Sequence, residues 1–253
     1  MTVGRTGPAG VSNGSRGVFG AGEDSANALR DTIDYITIAT TGNATDFGNT
    51  ISAKNYNSGC SDGTTGVFGG GAGGGDVNVI QYITISTIGD ALDFGDLSTG
   101  RSGIGACSDG TKGVFGGGWS GAYSNVIEYI TISTTGNATD FGDLTVARGY
   151  LGVTADTTRG VWAGGEDGAS SNFIDYVTIA TTGNATDFGD MTTAFRGFGG
   201  SPCSDGTKGV FAIGQNGGYI NTVEYITIQT LGNSTDFGDL LSARNYIAGL
   251  AGD

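Results

Sequence analysis

The aromatic residues of this chain recur on a fixed period, and that period limits what the chain can fold into. Tyr35, Tyr82, Tyr129, Tyr176 and Tyr225 open similar β-branched runs at intervals of 47, 47, 47 and 49 residues. Phe47, Phe94, Phe141, Phe188 and Phe237, each inside an Asp-Phe-Gly, keep the same step. An apolar pair ahead of a small-residue run gives a third marker: Val18-Phe19, Val67-Phe68, Val114-Phe115, Val161-Trp162 and Val210-Phe211. The unit therefore occurs five times and covers nearly the whole chain. A unit of this size cannot bury an apolar face alone, so neighbouring units must pack on one another.

Each unit reads as four short strands. In the third copy, a small-residue strand (Ile104-Gly105-Ala106-Cys107) leads into Ser108-Asp109-Gly110-Thr111. Asp-Gly between strands signals a two-residue hairpin, here expected as a type I′ turn with positive φ at both central residues. Asp62-Gly63, Asp205-Gly206 and Asn13-Gly14 repeat it. Gly113-Val114-Phe115 forms the second strand and Val126 to Ser133 the third. Gly136-Asn137 reads as another turn, and Thr139-Asp140-Phe141 as the fourth strand. Four antiparallel strands on a period near 47 residues specify a propeller blade. The fold class is therefore all-β, a five-bladed β-propeller. Gly, Ala and Cys on the innermost strands suit the crowding around its axis.

Basic residues precede the inner-strand segments at Arg5, Lys54, Arg101, Arg148, Arg196 and Arg244, one more than the number of complete units. Pro8 weakens the N-terminal candidate, Thr6 to Gly10, because proline donates nothing to a ladder. The C-terminal segment, Asn245 to Leu250, is thus expected to close the ring by completing the first blade beside Val18-Phe19. Residues 1–10 would be a free arm, and residues 11–253 one propeller domain.

Composition excludes several chemistries. The chain of 253 residues has 51 glycines, no histidine and three cysteines. Without histidine there is no Ser-His-Asp or Cys-His catalysis and no imidazole metal ligand. Three cysteines do not make a disulfide framework. A formal net charge of −14 repels phosphate backbones, so nucleic acid is not an expected partner. No apolar run reaches the roughly 18 residues of a membrane span, and MTVGRTGPAG lacks the apolar core of a secretory signal. Neither membrane insertion nor signal-directed secretion is expected.

Features common to all copies belong to the blade, and features that differ are where a site could be placed. Asp93/Asp96, Asp140/Asp143, Asp187/Asp190 and Asp236/Asp239 recur, with Asp46/Asn49 in the first copy. They lack the six or more oxygens of a calcium loop and read as strand-end hydrogen bonding. Sequons at Asn43, Asn137, Asn184 and Asn233 follow from the same repeated motif. Cys60, Cys107 and Cys203 share a register with Thr154 and Val11, a small buried position rather than a nucleophile. No catalytic residue, metal or cofactor is expected. The loops between the second and third strands vary most. Trp119, Tyr123 and Tyr219 stand there among glycine and polar residues, as do Glu23, Asp24, Glu166 and Asp167. The segments entering each blade bring Tyr150, Arg148 and Arg101 to the same face. These six aromatic and basic residues are the candidate ligand-binding set, chemically suited to sugar rings, which stack on aromatics and hydrogen-bond at their edges.

Runs such as NVIEYITISTTGNATDFGDLTVAR resemble the glycine-rich, kelch-like repeats of virion-associated proteins of tailed phages, notably marine and cyanobacterial ones. The resemblance covers roughly residues 11–250 and departs from kelch repeats in carrying Phe141 where tryptophan is usual. It implies a non-enzymatic tail-fibre or appendage module on the virion, extracellular after lysis, that binds a host surface glycan or another virion protein. It transfers no catalytic residues and leaves homo-oligomer formation open. The alternatives are a purely architectural decoration protein and a glycan-processing propeller. The latter needs converging carboxylates, and the inner strands offer none in mid-strand.

Overall fold

A computed structural model describes residues 1–197, 203–212 and 214–243. Five antiparallel four-stranded sheets follow one another along the chain, each with its strands in sequence order, and no helix occurs among the described residues. The architecture is the five-bladed β-propeller that the repeat period requires. The first blade comprises Ala9–Ser12, Arg16–Gly20, Thr32–Thr37 and Thr45–Asn49. The second comprises Ser58–Ser61, Thr65–Gly69, Val79–Thr84 and Leu92–Asp96. The third comprises Gly105–Ser108, Lys112–Gly116, Val126–Thr131 and Thr139–Asp143. The fourth comprises Gly152–Ala155, Arg159–Ala163, Ser171–Thr178 and Thr186–Phe195, and the fifth Cys203–Ser204, Lys208–Ala212, Thr222–Thr227 and Thr235–Asp239.

The hydrophobic core lies between blades rather than within them. Val18, Ile33 and Phe47 of the first blade pack on Phe68, Ile83 and Ile85 of the second. Three further clusters join the second blade to the third, the third to the fourth and the fourth to the fifth. A sheet apolar on both faces explains why the third strands read as nearly continuous β-branched runs. The second-strand aromatic reaches across each of the first three junctions onto a glycine. A Cβ on Gly116 would stand 2.8 Å from Trp162 Nε1, so only glycine lets the indole approach.

At the rim, the repeated Gly-Asn joins blades instead of turning the chain. Gly136 N donates to Phe94 O at 2.7 Å, and Ala138 N to Asp96 O at 2.8 Å. Asn137 Oδ1 accepts from Asp96 N at 3.0 Å. Asn184 and Asn233 repeat the contact on Asp143 and Asp190, and Asp90 substitutes on Asn49. The tight turn lies earlier, where Thr134 N donates to Thr131 O at 3.0 Å. The Asp-Gly hairpins also differ from type I′. Only the glycine has positive φ (84° at Gly110), while Asp109 Oδ1 accepts from Thr111 N and Lys112 N at 2.8 and 2.7 Å. The aspartate side chain therefore shapes this corner, and a second left-handed residue is not required.

The first blade is completed differently from the sequence expectation. Ala9–Ser12 is the inner strand of the first blade, with Val11 opposite Val18 and Gly10 opposite Phe19. Arg16–Gly20 pairs on its other edge with Thr32–Thr37, which leaves no place beside Val18-Phe19 for a C-terminal strand. Residues 1–10 are not a free arm. Arg5–Thr6 pairs with Glu23–Asp24, and Thr2 N and Oγ1 donate to the Asp34 carboxylate. Thr2 stands where Ile51, Ser98, Thr145 and Thr192 stand in later blades, each donating its backbone N–H to the third-strand carboxylate or amide ahead. Pro8 falls just before the strand, where its missing N–H costs no ladder bond. Asn245 to Leu250 lies outside the described residues.

Candidate functional site

The segments entering the blades and the loops between second and third strands do share one face. Isolated bridges join Asn55 to Ala72, Ser102 to Trp119, Gly149 to Glu166 and Arg196 to Gln215. A second bridge then folds each loop on itself, as Trp119 with Tyr123 and Gln215 with Tyr219. Trp119 and Tyr219 therefore come from different blades, the third and the fifth, and Tyr123 and Tyr219 are equivalent positions.

Arg101 and Arg148 do not belong to a ligand surface. Their side chains are 2% and 0% exposed and are paired with Glu128 and Asp175. Arg101 Nη1 also donates to Gly117 O and Val126 O at 2.8 Å each, and Arg148 Nε to Gly164 O at 2.9 Å. These guanidiniums serve carbonyls where the second and third strands part, a structural task that needs their several donors. Arg5 does the same with Asp34 at 2.7 Å. In the second blade Lys54 stands opposite Gln81, and both Nζ and Nε2 are buried without a partner. Burial lowers the Lys54 pKa to about 8. In the fifth blade Phe195, not Arg196, takes the register: Gly165 N donates to Phe195 O as Gly118 N does to Arg148 O. Glu224 is served there by Thr192 and Ser234.

Arg196, displaced by one residue, reaches the surface and builds the site. Its Nη1 lies 2.6 Å from Glu166 Oε1, with the two side chains 38% and 21% exposed. Tyr123 hydrogen-bonds Glu166 in turn; burial and that carboxylate push its phenol pKa up to about 12. Tyr123 meets Trp119 edge to face, ring centroids 4.7 Å apart. The half-buried Trp119 and Tyr123 thus form a platform continuous with an ion pair, spanning the third, fourth and fifth blades. Tyr219, 62% exposed, stands apart on the fifth blade's loop. Position along the chain places every member on this face, Arg196 among the basic residues entering the blades, although Arg196 is not in the candidate set. The 48-residue step from Arg148 to Arg196, which breaks the period, was the available signal.

Tyr150 stands at the loop end of the molecule as expected, near enough to Tyr123 to act on its phenol. Tyr150 and Tyr56 hold positive φ, 58° and 57°, in register with Gly103 and Gly7. Tyr56 N donates to Gly7 O, Gly103 N to Tyr56 O and Tyr150 N to Gly103 O, at 3.0, 2.9 and 2.7 Å. This chain of bonds runs from blade to blade around the axis. A Cβ on Gly103 would collide with the Tyr150 ring, which lies across it and meets Tyr56 edge to face at 6.2 Å. The two rings belong to the inner girdle at the loop end of the axis.

At the opposite end, the inner strands and hairpins of all five blades line an axial cavity of about 520 Å³. Its walls include Cys60, Cys107 and Thr154, and its rim Asp62, Asp109 and Asp156. Burial pushes the Cys60 thiol up to about 12 and the Cys107 thiol well above its usual range. Neither is poised as a nucleophile. Among the described residues, no three His, Cys, Asp or Glu side chains approach closely enough to hold a metal ion.

No family model matches this chain. No curated protein matches it by sequence. Solved structures do resemble it. YjhT superposes with a TM-score of 0.79 over 99% of this chain and 88% of its own, at 10% identity. At that identity the likeness is one of fold.

Proposed function

We propose that this propeller is a non-enzymatic binding module that recognises a saccharide through its loop face, as part of a phage virion surface. The observation that carries the reading is the Trp119/Tyr123 pair beside the Glu166/Arg196 ion pair. Aromatic faces take the C–H faces of a pyranose, while a carboxylate and a guanidinium offer an acceptor and a fork of donors to its hydroxyls. The virion setting rests on the resemblance of the repeats alone. A chain without histidine favours binding over cleavage.

Tryptophan fluorescence tests the proposal directly. The chain has two tryptophans, and Trp162 is fully buried, so a saccharide-dependent change reports Trp119. Titration with host-surface oligosaccharides should saturate. Trp119→Ala should weaken binding, followed by calorimetry, at least about tenfold, in line with an aromatic contact of roughly 1.5 kcal/mol. An unchanged affinity in Trp119→Ala would move the site elsewhere. Release of shorter sugars during incubation would replace binding by hydrolysis.

A further inference from the structure

Four of the junctions around the ring are closed by one set of contacts, and the fifth, between the fifth blade and the first, lacks them among the described residues. Phe47, Phe94, Phe141 and Phe188 are 1–4% exposed, whereas their equivalent Phe237 is 60% exposed. Ile85, Ile132, Ile179 and Ile228 are 0–2% exposed, whereas Ile38 is 39% exposed. Leu241 is fully exposed, and Phe19 is half-buried where Phe68, Phe115, Trp162 and Phe211 are buried. The rim bonds are missing as well. A Cβ on Gly48, Gly95, Gly142 or Gly189 would stand 2.3–2.5 Å from the rim glycine of the next blade, whereas one on Gly238 would meet nothing; Gly89, Gly136, Gly183 and Gly232 all donate to the preceding blade, and among the described residues Gly42 does not.

The described residues therefore carry two unfilled half-junctions of opposite kind. The fifth blade offers the carbonyls of Phe237 and Asp239 and an apolar outer edge. The first blade offers the rim dipeptide Gly42-Asn43, with Phe19 and Ile38 behind it. Among the described residues the two do not complete each other: no hydrogen bond joins Gly42 or Asn43 to Phe237 or Asp239. We infer that the seam is an interaction surface for a second copy of this chain, the fifth blade of one docking on the first blade of the next. The occupant follows from complementarity. The edge accepts the same rim dipeptide that the other four junctions use, Gly-Asn in three and Gly89-Asp90 in one, and each copy carries one such dipeptide unused. The contact is head to tail, so it propagates rather than pairing two identical patches.

Light scattering after size exclusion, across a concentration series, tests this on the whole chain. The wild type should rise from monomer mass to multiples of it. Phe237→Asp and Ile38→Asp should each remain monomeric with unchanged circular dichroism, since both positions are exposed. Their equimolar mixture should stop at a dimer, because each variant keeps one intact half-junction. A wild-type monomer at every concentration overturns the inference, as does association that survives both substitutions. A Gly42→Cys/Gly238→Cys variant separates the remaining case: a disulfide formed within single chains would show that the seam closes on itself, and would also overturn it.

Discussion

Arg148 Nη1 and Asp175 Oδ2 lie 2.7 Å apart with their side chains 0% and 1% exposed. The same place is rebuilt in every other blade with altered partners. A buried pair of this kind contributes little net stability against an apolar replacement, but losing one member is costly. Arg148→Met should therefore destabilise the protein by about 3–5 kcal/mol, because Asp175 stays buried with only Thr145 to serve it. Arg196→Met, breaking the exposed pair with Glu166, should cost less than about 1 kcal/mol. Urea unfolding of both variants makes the comparison.

Lys54 gives stability a pH dependence of known sign. Its folded pKa is lowered to about 8 from an ordinary 10.5 by burial. Between those values the unfolded chain holds a proton that the folded one has released, so stability rises with pH across the window. Below pH 8 both states are protonated and the penalty is full, about 3 kcal/mol at most for a shift from 10.5 to about 8. Lys54→Met should be more stable at pH 7, and the gap should narrow towards pH 10.5. A constant gap across that range would contradict the assignment.

The thiols should label unevenly. Cys60 and Cys107 are buried, and Cys203 is partly exposed. Ellman's reagent at pH 8 should react with no more than one thiol per chain in minutes, and with all three only in denaturant. Rapid labelling of two or more in native protein would mean that the inner strands open readily.

The rim asparagines should matter according to their junction. Asn137→Ala removes the acceptor for Asp96 N and should cost about 1 kcal/mol. Asn137→Asp should be tolerated, because Asp90 performs the same task for Asn49. Asn43→Ala, at the open seam, should leave the stability of the isolated chain unchanged. Denaturant midpoints of the three variants decide it.

Much of the fold was legible because each blade repeats one physical solution. Tyr129 and Phe141 share a period because their rings meet edge to face at 6.0 Å, and the other blades repeat this at 5.9–6.0 Å. Lys112, Arg159, Lys208 and Arg16 stand over those tyrosines in four blades. The role of Gly136-Asn137 was hidden, because its partner Asp96 lies 41 residues away in the preceding unit. The completion of the first blade was hidden for a similar reason. Strand propensity favoured the C-terminal segment, but Thr2 and Arg5 both bond the Asp34 carboxylate and decide the matter. In the candidate site, loop position identified Trp119 and Tyr123, but a basic residue in a repeated register is a poor guide to exposure. Arg101 and Arg148 recur because a carboxylate waits for them inside, whereas Arg196 is free to reach Glu166 because Phe195 fills that inner place.

The apolar clusters of the described residues link successive blades at four junctions, so energetically they behave as a short linear polymer. Detaching a terminal blade breaks one contact, whereas detaching an inner blade breaks two. Along these four junctions fraying runs inward from the first and fifth blades, and the third blade, two junctions from each, is the last to let go. A ring of nominally equal parts thus acquires a mechanical centre, and one aromatic of its surface platform, Trp119, is anchored there.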